Sequence, residues 1–259
     1  MKHLKRSAIV LAVSAAASQF ASAESFVTDQ ADAKGFVEDA KFDVLLRNQY
    51  YDHDGKNGAG DNRDWTQGFL ANFSSGYTQG TVGFGVDAFG YLGIKLDAGR
   101  GRAGTGNLPV GNDGKPDDDY GKAGGALKVR ISKTELKFGD MQPTAPVFAA
   151  GGTRLIPQTA SGFNLLSSEI EGLDLEAGHF TSGTSPVTTA RDGGLWAAYA
   201  GVETSDVDFL GGKYAINDNL SVSLYGSEFK DIWRQYYGNV NWVLPVANDQ
   251  SLAFDFNIY

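Results

Sequence analysis

The sequence contains no cysteine, which removes disulfide bonds as a source of stability. It has only 2 methionines and 3 histidines among its 259 residues. No part of the chain has the short, regular spacing of ligands that a metal site needs, so we expect no metal and no cofactor. Beyond the N-terminal segment, the chain has no run of about eighteen apolar residues, and we therefore expect no transmembrane helix.

The first 23 residues have the pattern of a signal peptide. Basic residues precede an apolar stretch, residues 8–17, and Ala21-Ser22-Ala23 follows as a cleavage site with small side chains. The apolar stretch is too short to span a bilayer. We predict a signal peptide over residues 1–23 and a mature chain over residues 24–259.

Basic residues are few. The signal peptide carries Lys2, Lys5 and Arg6 and no acidic residue, so the net charge of −9 becomes −12 in the mature chain. This charge argues against nucleic acid as a partner. An exported chain without cysteines or spanning helices is periplasmic, secreted or an outer-membrane barrel.

Glycines and aromatic residues are abundant, with 34 Gly, 16 Phe, 11 Tyr and 4 Trp, which is typical of a β-rich protein. Apolar and polar residues alternate most clearly over residues 81–95. Phe84, Val86 and Leu92 share one face of a predicted strand, and Asp87 lies on the other.

Eleven segments of the chain have a strand pattern. They are residues 43–51, 65–76, 81–95, 123–132, 133–140, 164–172, 173–183, 209–216, 220–229, 236–245 and 251–259. Long and short connections alternate between them, which predicts an all-β fold, an antiparallel transmembrane β-barrel with long loops on one side. We expect residues 184–206 to be one long loop with a local element, GLWAAYAG, and the polar residues 96–121 to lie in water. A soluble sandwich also alternates, but its apolar faces pack against each other.

The strand number is odd, whereas bacterial barrels are closed and have even numbers of strands. The last segment also ends unusually, because Tyr259 shares a face with Asp255 and Asn257 instead of pointing outward. We therefore expect residues 24–259 to be the N-terminal part of a larger, incomplete barrel.

Residues 141–163 form the most unusual connection, with three prolines, a Gly151-Gly152 pair and a single charge, Arg154. A loop of this length is usually functional. One interpretation is a surface loop with a few apolar residues, and the other is a loop folded inward that presents Arg154. Its apolar residues are Val147, Phe148, Leu155, Ile156 and Phe163.

Several stretches resemble the OprD family of substrate-specific outer-membrane porins. They include GTVGFGVDAFGYLG (80–93), KVRISKTELKFGDMQPTAPVFAAGGTRLIPQTASGF (128–163) and SSEIEGLDLEAGHF (167–180). The resemblance extends over nearly all of the mature chain. It implies a monomeric barrel of about eighteen strands in the outer membrane of a Gram-negative bacterium, about eleven of them present here. The implied partners are outer-membrane lipid, lipopolysaccharide and small solutes.

The resemblance also implies a function. In this family the third outer loop folds into the lumen, and basic residues guide solutes that bear a carboxylate, such as basic amino acids, small peptides and carbapenem-type antibiotics. The matching loop is 141–163, and the matching basic residues are Arg154, Arg47, Lys128 and Arg130. Arginine suits this role because its planar fork binds a carboxylate through two N–H groups.

Two alternatives from other classes stay open. His179 and Asp231, with a serine outside this sequence, would supply a serine-peptidase side activity. A structural barrel without a channel is the second, although a barrel this large does not fill its lumen with side chains. We expect a channel and not an enzyme.

Overall fold

A computed structural model describes residues 26–56, 60–99, 101–197, 200–246 and 250–259. The predicted signal peptide, residues 1–23, lies outside the described residues. Apart from one turn of 3-10 helix, Gln30–Asp32, the regular elements described are all β-strands. In this part of the chain, no helix is long and apolar enough to cross a membrane.

Eleven strands form a single antiparallel sheet in which each strand pairs with the next one along the chain. They are β1 (Lys41–His53), β2 (Asn62–Ser74), β3 (Val82–Ala98), β4 (Asp119–Ile131), β5 (Thr134–Met141), β8 (Thr159–Ile170), β9 (Leu173–Thr184), β12 (Val207–Asn217), β13 (Leu220–Phe229), β14 (Trp233–Pro245) and β15 (Ser251–Ile258). The predicted all-β class, strand number and strand order are confirmed. β1 and β15 are the two edges of the sheet.

Four short strands form two hairpins outside this sheet. The first consists of β6 (Thr144–Ala145) and β7 (Phe148–Ala149), and the second of β10 (Leu195–Ala197) and β11 (Val202–Thr204). β10 lies within GLWAAYAG, the local element predicted inside residues 184–206, whereas β11 follows that element. Both hairpins lie in long connections, which define the loop end of the sheet; the opposite end, with its short connections, is called the turn end.

The two faces of the sheet differ sharply. Leu127 is 61% exposed and its neighbour Lys128 only 4%; Leu224 is 71% exposed and its neighbour Tyr225 only 7%. Apolar side chains therefore cover the outward face, while polar and aromatic ones are buried on the inner face. This reverses the pattern of a water-soluble protein and fits a sheet whose outward face contacts lipid.

The connection after β5 is shorter than the sequence predicts. β8 already begins at Thr159, because Ala160 pairs with Met141 and continues the ladder between β5 and β8. Phe163 lies on the outward face, where its ring centre is 4.6 Å from that of Phe138. The prediction that Phe163 belongs to the loop is thus wrong, and the loop spans residues 142–158.

The connection between β3 and β4 also differs from its prediction. Thr105, Asn107 and Leu108 are buried, with Asn107 fully so. Leu108 packs in one cluster with Leu155 and Ile156 of the following loop. The expectation that residues 96–121 lie in water is wrong for this part, because its side chains complete the packing around that loop.

Candidate functional site

Residues 142–158, called the inner loop here, fold onto the inner face of the sheet. Leu155 and Ile156 are both 0% exposed and pack with Leu70 of β2 and Tyr91 of β3. Of the two interpretations left open by the sequence, the structure has the inward one. Burial of these two large apolar side chains anchors the loop against β2 and β3.

A second anchor lies in the β6–β7 hairpin of the same loop. The ring centre of Phe148 is 5.3 Å from that of Phe180 on β9 and 5.2 Å from that of Trp196 on β10. Val147 is also buried in this cluster. The inner loop is therefore held on two separate parts of the inner face, which explains how a segment without long strands keeps one position.

A chain of buried polar groups fixes the segment next to Arg154. Asn107 donates from Nδ2 to Oδ1 of Asp64 (2.9 Å), and the hydroxyl of Thr105 donates to the other carboxylate oxygen. The Oδ1 atom of Asn107 accepts the N–H of Leu155 at 3.1 Å. Displacing the loop would leave the buried Oδ1 of Asn107 without the N–H of Leu155, which is costly for a buried polar atom.

Arg47, on β1, binds the backbone of the inner loop. Its Nη1 donates to the carbonyls of Gly152 (3.1 Å), Arg154 and Leu155 (3.4 Å). The structure thus places two of the predicted site residues, Arg47 and Arg154, side by side. In this position the guanidinium of Arg47 holds the loop.

Arg154 is half-buried, and its guanidinium carbon lies 5.2 Å from the centre of the Tyr51 ring. Gly106 lies against it, with a φ of +81°; a Cβ there would come 3.1 Å from Nε of Arg154. The missing side chain leaves room for the arginine. A cation–π contact of this kind places no hydrogen-bond acceptor on the N–H fork, which can therefore bind an anion.

Lys128 belongs to a charged network at the turn end of the inner face. Its Nζ is 2.8 Å from Oδ1 of Asp87 and 2.7 Å from Oγ of Ser74. Lys137, directly opposite Lys128 on β5, lies 2.9 Å from the other oxygen of Asp87 and 3.5 Å from Glu135. The sequence shows Lys137 on the polar face of its strand, but its pairing with Lys128 depends on the register, which local patterns do not reveal.

Arg130 is buried beside the same network. Its Nε donates to Oε1 of Gln30 (3.0 Å), its Nη1 donates to Oγ1 of Thr28 (2.7 Å), and its guanidinium carbon lies 4.0 Å from the centre of the Tyr77 ring. Burial, together with the neighbouring carboxylate of Glu135, raises the pKa of the Tyr77 hydroxyl far above its usual range. The four predicted basic residues thus form two pairs, one at the inner loop and one around Tyr77.

His179, considered with Asp231 for a side activity, has Asp208 as its hydrogen-bond partner in the structure. His179 lies on the outward face of β9, and the register pairs it with Asp208 of β12, whose Oδ1 is 2.7 Å from its Nδ1. Asp231 lies in the turn between β13 and β14, with a φ of +60°. Among the described residues, no group of three side chains is arranged to hold a metal ion.

Comparison with known proteins gives consistent matches. A family model described as "outer membrane porin, OprD family" matches residues 34–259. Porin D of Pseudomonas aeruginosa is 68% identical over 259 residues, which are 100% of this chain and 58% of that protein. The porin-like protein GalP of Pseudomonas putida is 44% identical over 225 residues, 85% of this chain and 54% of that protein.

Solved structures agree. The crystal structure of the outer membrane protein OprD from Pseudomonas aeruginosa is 59% identical, with a TM-score of 0.72 over 90% of this chain and 52% of that one. Pseudomonas aeruginosa OpdK, solved with vanillate, is 37% identical, with a TM-score of 0.78 over 86% of this chain and 57% of that one. The chain therefore spans about half the length of these relatives.

Proposed function

Because the chain belongs to the OprD family of outer membrane porins, we propose that it forms part of the wall and the constriction of a channel for small solutes. Family members are channels of the outer membrane and not enzymes. The apolar outward face and the polar inner face support this proposal, since they are what a strand between lipid and a water-filled lumen requires. The channel would be monomeric and surrounded by outer-membrane lipid and lipopolysaccharide.

The observation that carries the proposal is the inner loop. Anchored through Phe148 on one part of the inner face and through Leu155 on another, it reduces the space in front of the sheet. Arg154 projects beside the anchor formed by Leu155. A charged group in a narrow channel raises the local concentration of solutes with the opposite charge.

We propose solutes that bear a carboxylate, such as basic amino acids, small peptides and carbapenem-type antibiotics. Vanillate, with which OpdK was solved, is itself a carboxylate. Arg154 is the residue on this chain that would meet such solutes directly, whereas Lys128 is buried and paired with Asp87 and would act on them only through its charge. Arg47 and Arg130 would act beside the path, since their N–H groups already bind the inner loop and the segment before β1.

Replacing Arg154 with alanine tests the proposal. In liposomes that contain the native protein, we expect uptake of a carboxylate-bearing solute to fall about fivefold, the effect of one unit charge at close range in water. Uptake of a neutral solute of the same size should stay within experimental error.

Arg234→Ala is the matched control. This arginine lies on the outward face, is exposed, and pairs with Glu228 at 3.3 Å. Its loss should therefore leave the uptake of both solutes unchanged. Equal uptake of the charged solute by wild type and Arg154→Ala would contradict the role of Arg154. No uptake by the wild type would contradict the channel itself.

A further inference from the structure

The segment before β1 is bound to the inner face at the turn end. The N–H of Phe26 donates to Oδ1 of Asp174 (3.0 Å), and the N–H of Val27 donates to Oγ of Ser168 (3.1 Å). Val27 is only 3% exposed. We call residues 26–36 the N-terminal strap. Its first residues are thus attached at β8 and β9.

The strap continues across the sheet to the β2–β3 connection. The N–H of Gln30 donates to the carbonyl of Ser132, in the β4–β5 turn (2.8 Å). Its Nε2 donates to the carbonyls of Thr78 (2.9 Å) and Gly80 (3.2 Å). The strap therefore connects three successive turns of the sheet and lies over the inner face between them.

The inner face provides a fitted site for Gln30, which is 3% exposed. A Cβ at Gly83 of β3 would come 2.2 Å from Oε1 of this glutamine, closer than real contacts allow. The absence of a side chain at Gly83 is therefore what lets the amide enter. With its Nε2 bound to the turn, the amide turns Oε1 toward Arg130.

Arg130 is committed to the strap through two of its three nitrogens. Nε binds Gln30, Nη1 binds Thr28, and one face of the guanidinium lies on Tyr77. A solute carboxylate needs two parallel N–H groups of the fork. Each two-nitrogen edge of the Arg130 guanidinium includes one nitrogen that already binds the strap, so a carboxylate would have to displace the Gln30 or the Thr28 side chain.

We propose that the N-terminal strap narrows the solute path at the turn end, and that Arg130 is the positioning residue that keeps it there. The guanidinium stabilises the strap instead of binding the solute. This inference rests on the proposed channel for its transport consequence, but the docking of the strap is measurable without transport.

Docking is measured by labelling a single cysteine with a water-soluble thiol reagent, since the chain has none of its own. In native protein carrying Val27→Cys, labelling should be slow. Adding Arg130→Ala should accelerate it about tenfold or more, because hydrogen bonds to charged groups contribute about 1.5–3 kcal/mol each. Gly83→Ala should act similarly by excluding Gln30, and Arg234→Ala should have no effect. Unchanged labelling with Arg130→Ala would overturn the inference.

The direction in which uptake changes distinguishes a positioning residue from a solute-binding one. If Arg130 holds the strap, Arg130→Ala and Gln30→Ala each speed uptake of a neutral solute, and the double variant is no faster than the faster single one. If Arg130 binds solute, Arg130→Ala slows carboxylate uptake and Gln30→Ala, which frees the guanidinium, speeds it. The second pattern would overturn the inference, as would faster labelling without faster neutral uptake. Wild-type protein that admits no solute would overturn the proposed function, and labelling would still decide whether Arg130 holds the strap.

Discussion

Leu155 offers the sharpest test of how the inner loop is held. It is fully buried, and its methyl groups lie over two glycines of the sheet. A Cβ at Gly93 would come 2.7 Å from Cδ2 of Leu155, and one at Gly68 would come 3.1 Å from Cδ1. The wall is therefore shaped to this side chain, and truncating it leaves a cavity that neighbouring atoms cannot readily fill.

The expected cost of Leu155→Ala is about 2–5 kcal/mol, the usual range for a buried leucine. Even about 2 kcal/mol raises the population of the detached loop about thirtyfold, since 1.36 kcal/mol corresponds to a factor of ten. Arg154 is the only basic residue between residues 142 and 158, so trypsin cleavage within this loop occurs only after it. When opening and closing are fast relative to cleavage, the cleavage rate follows the open population.

The assay is limited trypsin digestion of the native protein in outer-membrane vesicles, with mass spectrometry of fragments ending at Arg154. Leu155→Ala should be cut at least about thirtyfold faster than wild type. Phe163→Ala is the control: the sequence groups Phe163 with the same loop, but the structure places it on the outward face of β8. Equal cleavage of wild type and Leu155→Ala, or equal acceleration by Phe163→Ala, would refute the docking described here.

Three further predictions concern the wall and the N-terminus. Lys128→Met should lower the free energy of unfolding in urea by about 1.5–3 kcal/mol, because it removes a charged hydrogen bond to Asp87, whose other carboxylate oxygen still pairs with Lys137; the same change should cost less when Asp87 is already Asn. Leu224→Arg on the outward face should reduce the folding free energy into lipid vesicles by about 2–4 kcal/mol, whereas Ser223→Arg on the inner face should cost much less; equal losses would contradict the assignment of the two faces. N-terminal sequencing of the exported protein should begin at Glu24, and a start at Met1 would exclude the predicted cleavage.

The strands could be predicted because their signal is local. Alternation places Leu127 and Lys128 on opposite faces whatever the rest of the chain does, and it does the same in the other strands. Long and short connections then order the strands into a meander without any knowledge of contacts. Alternation does not set where a strand ends, as Phe163 shows: its strand begins at Thr159, next to the Ala160–Met141 pair with β5.

The strap could not be predicted, because its evidence is distributed over the chain. Residues 24–42 read as a polar leader, and nothing in them points to the inner face. The fit depends on Gly83, about fifty residues later, and on Arg130, which is 100 residues from Gln30. A glycine in a strand indicates a close approach of some other group, but it does not identify that group.

The same limit applies to the basic residues of the site. Arg47, Arg130 and Arg154 have the same charge and the same hydrogen-bonding fork, so their residue type supports one role for all three. Their partners separate them. Backbone carbonyls of the inner loop accept hydrogen bonds from Nη1 of Arg47, and strap side chains accept them from Nε and Nη1 of Arg130, whereas the contact described for the Arg154 guanidinium is with the Tyr51 ring. A carboxylate entering this path would meet the least competition at Arg154, and selectivity on this part of the wall should therefore depend on that residue more than on the other two.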